Sequence, residues 1–459
     1  MKNKRNYIST IMFMMSFVIV IALSYTFWIT WNDYYRKMVI DPFYEKGSLL
    51  LTVVYIIIYS LFSQIYGGHK IGYLKVTDII YSQSLSILFA NIITFMQISL
   101  IAKKLVNPLY LGTMTIVEVA IVVFWSLICN KIYYSIYKPL NMLLVYCNKN
   151  SITLLSKLNK HKEKYHISCS INIAEGIEKT KSEIVKYDAV ILCDLDSSVR
   201  NEIVKYCYKR SIRIYMTPKI SDIIIQSADK LHIFDTPLLL CKNQGLTFEQ
   251  KILKRTMDIA VSLIGILISL PFMALVALAI KLYDRGSIIY KQKRLTINNR
   301  IFYIYKFRSM KVDAEKDGEA RLARQNDDRI TPVGKFIRKV RLDELPQLFN
   351  ILNGDMSIVG PRPERPEIAE QYITLMPEFE FRTKVKAGLT GFAQVMGKYN
   401  TTPYDKLKLD MMYIGNYSIF LDIKMILMTF KILFMPESTE GISDGELLPE
   451  LLALDKDEA

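Results

Sequence analysis

Two adjacent carboxylates, Asp343 and Glu344, stand where basic residues lead into an acidic pair, in RKVRLDELPQL at 338–348. We expect this run to begin a helix, on which neighbouring side chains point about 100° apart. The two carboxylates can then address different targets, one as a nucleophile and the other as a ligand for a divalent cation that neutralises phosphate charge. A surface ion-pair cluster is the alternative for such a pair taken alone.

Two loops beyond this pair have the composition of anion-binding segments. The first, NGDMSIVGPRP at 353–363, places Arg362 between two prolines, which stiffen the backbone around a guanidinium that can bind phosphate with two parallel hydrogen bonds. The second, KVKAGLTGFAQV at 384–395, has Gly388 and Gly391, which allow close backbone approach to a ligand. An ordinary turn before a strand is the alternative for the second loop.

The charge of the chain is concentrated beside these segments. The formal net charge is +15, and residues 281–341 contain 17 Lys and Arg against 7 Asp and Glu. Such a stretch favours phosphates or an anionic membrane surface, and the two interpretations are compatible. The six cysteines form no C-x-x-C pair and the four histidines all precede the acidic pair, so neither a zinc site nor histidine catalysis is indicated.

The N-terminal third has four apolar stretches, at about 8–30, 48–66, 79–101 and 109–129. Each is long enough to cross a hydrocarbon core of about 30 Å as a helix. Basic residues near the N-terminus and in the second loop place both on the cytoplasmic side. Glu118 is the ionisable exception inside the stretches. We expect it to pack helices, because a proton relay would need partners that the sequence does not show.

Residues 136–248 alternate short apolar runs with charged helical segments. Runs at 142–147, 189–193, 212–216 and 238–241 predict the strands of a parallel, Rossmann-like sheet. The first run is not followed by G-x-G-x-x-G, so we expect no dinucleotide there and assign the domain a regulatory or architectural role.

An uncharged run of 22 residues, 259–280, has basic residues on both sides. Both ends therefore favour the cytoplasmic side, which one crossing cannot satisfy. Pro271 removes a helical hydrogen bond near the middle, and Ser269 can bond a carbonyl freed by the bend. We predict a re-entrant helix over 254–283; a fifth spanning helix is the alternative.

Together, the segments KRTMD (254–258), YKFRSM (305–310), LDELPQ (342–347), GDMSIVGPRP (354–363) and GLTG (388–391) resemble motifs of the bacterial polyprenyl-phosphate sugar phosphotransferases, also called monotopic phosphoglycosyl transferases. The four spans and the Rossmann-like domain resemble the long form of that family. The chain has Lys386-Ala387-Gly388 where relatives commonly have Arg-Pro-Gly. Its expected fold is a mixed membrane protein with a four-helix bundle (1–135), an α/β domain (136–248), an α-rich catalytic domain (249–436) and an acidic tail (437–459).

The resemblance implies a reaction and a site. Asp343 would attack a UDP-sugar, release UMP and hold the sugar phosphate until polyprenyl phosphate accepts it, which begins capsule, O-antigen or exopolysaccharide assembly. Glu344 would bind Mg²⁺. Phosphate or nucleotide binding is assigned to Arg308, Arg338, Arg341, Arg362, Lys386, Gly388 and Gly391.

The resemblance also implies an inner-membrane protein whose active site faces the cytoplasm. A homodimer and no nucleic-acid partner are expected, and galactose, glucose and N-acetylated sugars remain open as substrates. Two alternatives stand beside this assignment. One is a non-catalytic membrane scaffold, and the other is a transporter or polymerase of lipid-linked glycans, for which four spans without a polar interior are too few.

Overall fold

A computed structural model describes residues 2–39, 44–137, 139–147, 150–159, 165–241, 245–311, 329–397 and 401–433. The chain divides into two compact units, 1–219 and 220–459. The predicted acidic tail lies outside the described residues.

The first unit begins with four long helices: α1 (Lys2–Thr30), α2 (Glu45–Tyr66), α3 (Val76–Ile101) and α4 (Leu109–Ile136). Successive helices pack against each other, and α1 packs against α4, which closes the bundle. By length and composition all four can cross a membrane, with the first continuing to Met38. The four predicted stretches are therefore confirmed as membrane-length helices.

Glu118 joins all four helices inside this bundle. Its carboxylate accepts hydrogen bonds from Thr26 Oγ1 of α1 (3.0 Å), Tyr55 Oη of α2 (2.7 Å) and Asn91 Nδ2 of α3 (2.9 Å). The sequence showed no partners for Glu118, and the structure corrects this: three neutral donors, one from each other helix, satisfy the buried carboxylate. This agrees with a helix-packing role.

The remainder of the first unit is a parallel sheet of β1 (Leu140–Tyr146), β2 (Tyr165–Asn172), β3 (Ala189–Cys193) and β4 (Arg213–Met216), in the order β2-β1-β3-β4. Three of the predicted strands are confirmed. Helix α5 (Asn150–Asn159) covers one face, and α6 (Ile177–Ile184) and α7 (Ser197–Lys209) cover the other. The sequence missed β2, because this edge strand alternates polar and apolar residues and has no continuous apolar run.

The fourth predicted strand, at 238–241, is not part of this sheet. The second unit begins with α8 (Ile220–Gln226), and the apolar run that follows belongs to an antiparallel hairpin of β5 (Asp229–Ile233) and β6 (Thr236–Leu240). Every residue of both strands is exposed. Hydropathy alone misassigned this run, because it does not distinguish a buried strand from an exposed apolar one.

The longest helix, α9 (Phe248–Asp284), contains the predicted re-entrant segment. It begins with a capping box between Thr247 and Gln250, ends at Arg285 in the left-handed conformation, and continues through Pro271. The Ser269 hydroxyl donates to the carbonyl of Ile266 at 3.4 Å, one residue before the carbonyl that Pro271 leaves without its helical donor. The bend at these residues and the re-entrant path stay predictions.

Further helices and strands of the second unit follow α9 in the chain. They are β7 (Ile289–Leu295), β8 (Ile301–Phe307), α10 (Pro332–Lys339), α11 (Gln347–Asn353), β9 (Ser357–Val359), α12 (Pro366–Leu375), β10 (Gly388–Thr390), α13 (Phe392–Met396), α14 (Pro403–Gly415) and α15 (Ile419–Leu433). Strands β7 and β8 form an antiparallel pair, and β9 and β10 a parallel pair. Two apolar clusters join this domain to α9, one with α11, β9 and α15 and one with β8 and α10.

Candidate active site

The acidic pair lies in a sharp turn between two short helices. Helix α10 is capped by Thr331, whose Oγ1 accepts from Gly334 N at 2.9 Å, and it ends before Arg341, which has a φ of 58°. A 3-10 turn at Leu342–Glu344 follows, and α11 begins directly after Pro346. The predicted helix start is therefore wrong in detail, but successive side chains in a 3-10 turn are about 120° apart, so the carboxylates still diverge.

Glu344 is held by two cations. Its Oε1 lies 2.9 Å from Nζ of Lys306 and 3.2 Å from Nη2 of Arg362. Burial opposes ionisation, but the positive charges of Lys306 and Arg362 outweigh it and hold the pKa of Glu344 well below its usual range. Glu344 is therefore an anion at any pH at which the protein would work.

Asp343 has the opposite environment. Its side chain is buried, and among the described residues no donor reaches Oδ1. Burial, followed by the neighbouring charge of Glu344, raises the pKa of Asp343 to about 6, against the effect of Lys306, Arg341 and Arg338. At neutral pH this carboxylate is mostly ionised, more basic than an ordinary aspartate and free to form a bond, which are the properties of a nucleophile.

The dyad also has the chemistry of a magnesium site that depends on substrate. Among the described residues, no group of three or more His, Cys, Asp or Glu side chains is placed to hold a metal. Mg²⁺, however, is usually bound by one or two carboxylates together with substrate phosphates and water. Oε1 of Glu344 already contacts two cations, so the dyad could hold only an ion that takes most of its ligands from a substrate.

Lys306 is a site residue that the sequence analysis did not select. It lies on β8 with Phe302 and Ile304, two residues apart each time and therefore on the same face of the strand. Those two side chains are buried, so a lysine continuing their series was a signal for a buried partner. Burial lowers the pKa of Lys306, with the Glu344 charge acting against the shift.

The predicted cations do not all converge on the dyad. Arg338 and Arg341 are close enough to lower the pKa of Asp343, and Arg362 contacts Glu344. Arg308 instead pairs with Asp284 at the C-terminal end of α9. Its assignment to phosphate stays a prediction.

Lys386 lies in a second cationic cluster, at the opposite end of α11 from the dyad. Burial lowers the pKa of Lys386, and the nearby charges of Arg255 and Arg300 add to the effect. Arg255 donates to the carbonyls of Ile351 and Leu352 at 2.6 Å each, which caps the C-terminus of α11. A ligand of Lys386 would therefore be bound away from the dyad.

Gly388 and Gly391 lie against protein backbone. A side chain at Gly388 would collide with the backbone of Gly360, and one at Gly391 with the Gly360 carbonyl. Both glycines allow β10 to approach the loop after β9, which places Arg362. This structural role was not foreseen, and a nucleotide contact by either glycine stays a prediction.

Comparison with known proteins gives one family. The family described as bacterial sugar transferase matches residues 249–436. This range includes α9, the dyad and both predicted loops.

Three relatives illustrate the match. The chain is 36% identical over 262 residues (56% of this chain, 61% of the relative) to a UDP-N-acetylgalactosamine-undecaprenyl-phosphate N-acetylgalactosaminephosphotransferase of Aeromonas hydrophila. It is 40% identical over 202 residues (43% and 42%) to a UDP-glucose:undecaprenyl-phosphate glucose-1-phosphate transferase of Escherichia coli K12. It is 50% identical over 130 residues (28% and 72%) to a putative undecaprenyl-phosphate N-acetylgalactosaminyl 1-phosphate transferase of Bacillus subtilis 168.

The match thus spans about half the length of the Aeromonas and Escherichia proteins but most of the Bacillus protein. The range matched by the family, 249–436, contains Asp343, Glu344 and the residues that contact them. The chain belongs to the bacterial sugar transferase family.

Proposed function

We propose that the chain transfers a sugar-1-phosphate from a UDP-sugar to polyprenyl (undecaprenyl) phosphate and releases UMP. This would be the first membrane step of capsule, O-antigen or exopolysaccharide assembly. The names of the relatives support the substrate class. The observation that carries the proposal is the difference between the two carboxylates. Glu344 pairs with two cations, whereas Asp343 is buried beside it and its Oδ1 accepts no hydrogen bond from the described residues.

The difference between the two carboxylates suits a transfer in two steps. Oδ1 of Asp343 attacks the β-phosphorus of the UDP-sugar, the bond from that phosphorus to the bridging oxygen breaks, and UMP leaves. An oxygen of polyprenyl phosphate then attacks the same phosphorus, and Asp343 departs as a carboxylate. Arg362 and Lys306 remain beside the phosphoryl group in both steps, where fixed positive charge stabilises the negative charge of the transition state.

Mg²⁺ fits this reaction as a proposed cofactor. When bound, the ion would neutralise phosphate charge and help the UMP leave. The Glu344 carboxylate would hold it, because Oδ1 of Asp343 is the attacking atom. The cations that surround Glu344 limit how much of the ion's coordination the protein itself can supply.

The contacts of α9 support a re-entrant path. Lys254 near its start pairs with Asp422 at 2.7 Å, and Asp284 at its end pairs with Arg308, and both partners belong to the same domain. These ends are separated by about 45 Å of helix at 1.5 Å per residue. If α9 crossed the membrane once as a straight helix, the dyad turn would lie inside the hydrocarbon core, which is about 30 Å thick. Entry and exit through one leaflet leave it at the cytoplasmic surface, where both substrates arrive.

A homodimer is proposed on the exposed hairpin of β5 and β6. A two-stranded ribbon is only marginally stable by itself, and this one exposes apolar residues on both strands, with Phe234 at its tip 98% exposed. A second copy of the chain would cover it. Removing residues 229–240 should then convert the protein in detergent to a monomer by light scattering.

The test is UMP release by the purified full chain in lipid nanodiscs with polyprenyl phosphate, Mg²⁺ and a panel of UDP-sugars. We expect release with one donor class, dependence on Mg²⁺, and loss in Asp343→Asn. Glu370→Gln, which changes an exposed carboxylate of α12, is the matched control and should keep wild-type activity. With a donor labelled in the β-phosphate and no acceptor, wild-type protein should retain the label covalently. Undiminished turnover by Asp343→Asn would refute the assigned nucleophile.

A further inference from the structure

The loop that carries Arg362 has no regular secondary structure, yet four consecutive carbonyls in it accept hydrogen bonds. Pro361 O accepts from the backbone N of Gly388 at 2.9 Å, and Glu364 O accepts from that of Leu295 at 3.0 Å. The two carbonyls between them are bonded by side chains. Arg362 O accepts from Nη2 of Arg382 at 3.1 Å, and Pro363 O accepts from Nη1 of Arg294 at 2.9 Å.

Arg382 is itself fixed by surrounding groups. Its Nε donates to Oδ2 of Asp410 at 2.7 Å, and Nη1 lies 3.7 Å from Oε1 of Glu364. The guanidinium carbon lies 4.7 Å from the centre of the Phe379 ring. Both Arg382 and Asp410 are buried, so their bond is shielded from water. With Nε and Nη2 hydrogen-bonded to protein oxygens and Nη1 in an ion pair with Glu364, this guanidinium is committed to structure and does not bind the substrate.

We infer that Arg382, oriented by Asp410, is a positioning residue that aims Arg362 at Glu344 and at the phosphate of the donor. The inference rests on the proposed function, because it requires Arg362 to act on that phosphate. The path is short: Asp410 fixes the guanidinium of Arg382, which fixes the carbonyl of Arg362, whose own guanidinium lies 3.2 Å from Glu344.

Lysine is a poor replacement for Arg382. All the donors of its ammonium are on one nitrogen, whereas the guanidinium reaches Asp410 from Nε and the Arg362 carbonyl from Nη2. In Arg382→Lys the side chain keeps its charge, but one nitrogen cannot occupy both donor positions. The loop then loses one of its four fixed carbonyls, and a misplacement of about 1 Å in a catalytic group can cost about 100-fold in rate.

A double-mutant cycle tests the inference. Arg382→Lys, Arg362→Ala and the double variant are compared for UMP release by the full chain in nanodiscs. We expect Arg382→Lys to lower kcat/KM for the UDP-sugar by roughly 10- to 100-fold, mainly through kcat, since the affected contact strengthens in the transition state. In the Arg362→Ala background the same substitution should cost less than about threefold, because the residue it positions is gone.

Lys254→Arg provides the matched control. Lys254 and Asp422 form a similarly buried pair, with side chains 6% and 0% exposed, and neither contacts residues 361–364. Lys254→Arg should change kcat/KM by the same factor in the wild-type and the Arg362→Ala backgrounds. A purely structural Arg382 would behave like this control, and equal losses for Arg382→Lys in both backgrounds would overturn the inference.

Asp410→Asn covers the case in which Arg382→Lys does not fold. The amide keeps the size and one acceptor oxygen of Asp410 and weakens the hold on Arg382. It should produce a smaller loss that again disappears in the Arg362→Ala background, and a loss that persists there would overturn the inference. Wild-type UMP release by Arg362→Ala would also overturn it, while the proposed transfer reaction, tested by Asp343→Asn, would stand.

Discussion

The two carboxylates of the dyad should affect stability with opposite pH dependence, and Asp343→Asn measures the first. Burial raises the pKa of Asp343 from its ordinary value of 3.8 to about 6. Between these pH values the folded protein keeps a proton that the unfolded chain has released, so the stability that Asp343 contributes falls as pH rises. At about 1.4 kcal/mol per pH unit, the loss approaches roughly 3 kcal/mol above pH 6.

Asp343→Asn removes this loss. Relative to wild type, the variant should gain stability as pH rises from about 4 to 6 and keep the gain above it. The gain corresponds to as much as roughly 10 °C in midpoint for a unit of this size. Burying the amide adds a constant cost at every pH, so the pH-dependent part of the difference is the quantity to measure.

Glu344→Gln should behave in the opposite way. Lys306 and Arg362 hold the pKa of Glu344 below its usual range despite burial, so ionised Glu344 stabilises the folded state at neutral pH. That contribution is lost as pH falls below about 4.5, the ordinary value for glutamate. The variant should be less stable than wild type at pH 7, and the deficit should shrink towards acid pH.

Thermal unfolding of the full chain in detergent from about pH 3 to 8 would measure both differences in one series of buffers. The reasoning fails if the Asp343→Asn difference does not change with pH, or if the two variants change in the same direction.

Three further predictions concern Asp343, Lys386 and Glu118. Without acceptor, the second-order rate constant for the single turnover that releases UMP should be about tenfold lower at pH 5 than at pH 7, because a nucleophile of pKa about 6 is mostly protonated at pH 5; a flat profile would contradict the assignment. Lys386→Gln should raise KM with little change in kcat, since Lys386 lies with Arg255 and Arg300 and not at the dyad; an equal fall in kcat would show that it acts on the reacting phosphate. Glu118→Leu should lower the thermal midpoint more than Glu118→Gln, since it leaves three donors unpaired at about 0.6 kcal/mol each; equal midpoints would mean that the bonds contribute nothing.

The sequence predicted what depends on local pattern. Span length and strand hydrophobicity are properties of a short window, so the four long helices and three strands of the parallel sheet were predicted correctly. The prediction missed β2 and misassigned 238–241, because the hydropathy of a short stretch of sequence does not determine whether that stretch is buried. An edge strand is half polar, and an apolar hairpin can be exposed.

The site was predicted in part for a related reason. Asp343 and Glu344 are adjacent in the chain, so their spacing was visible. Lys306, one of the two cations on Glu344, could not be predicted in this way, because it is 38 residues away and reaches Glu344 only through the packing of β8 against the turn. Arg308, two residues further along, has the same charge but pairs with Asp284. The difference between these two cations is set by the end of β8 at Phe307 and by the nearby end of α9, neither of which a motif records.

The residues around the dyad carry a net positive charge, which suits the anionic donor that we propose. Lys306, Arg338, Arg341 and Arg362 supply four positive charges that act on two carboxylates, which leaves a formal charge of +2 when both are ionised. The diphosphate of a nucleotide sugar carries two negative charges at neutral pH, so its charge is complementary to that of these residues. Arg362 is the most exposed of the two cations on Glu344, with 43% of its side chain accessible against 20% for Lys306, so it is the one a phosphate can reach while Lys306 keeps Glu344 ionised. In the proposed reaction one turn holds a nucleophile beside a carboxylate that stays ionised, because the cation that keeps the second ionised is mostly buried and the cation that would receive the substrate is exposed.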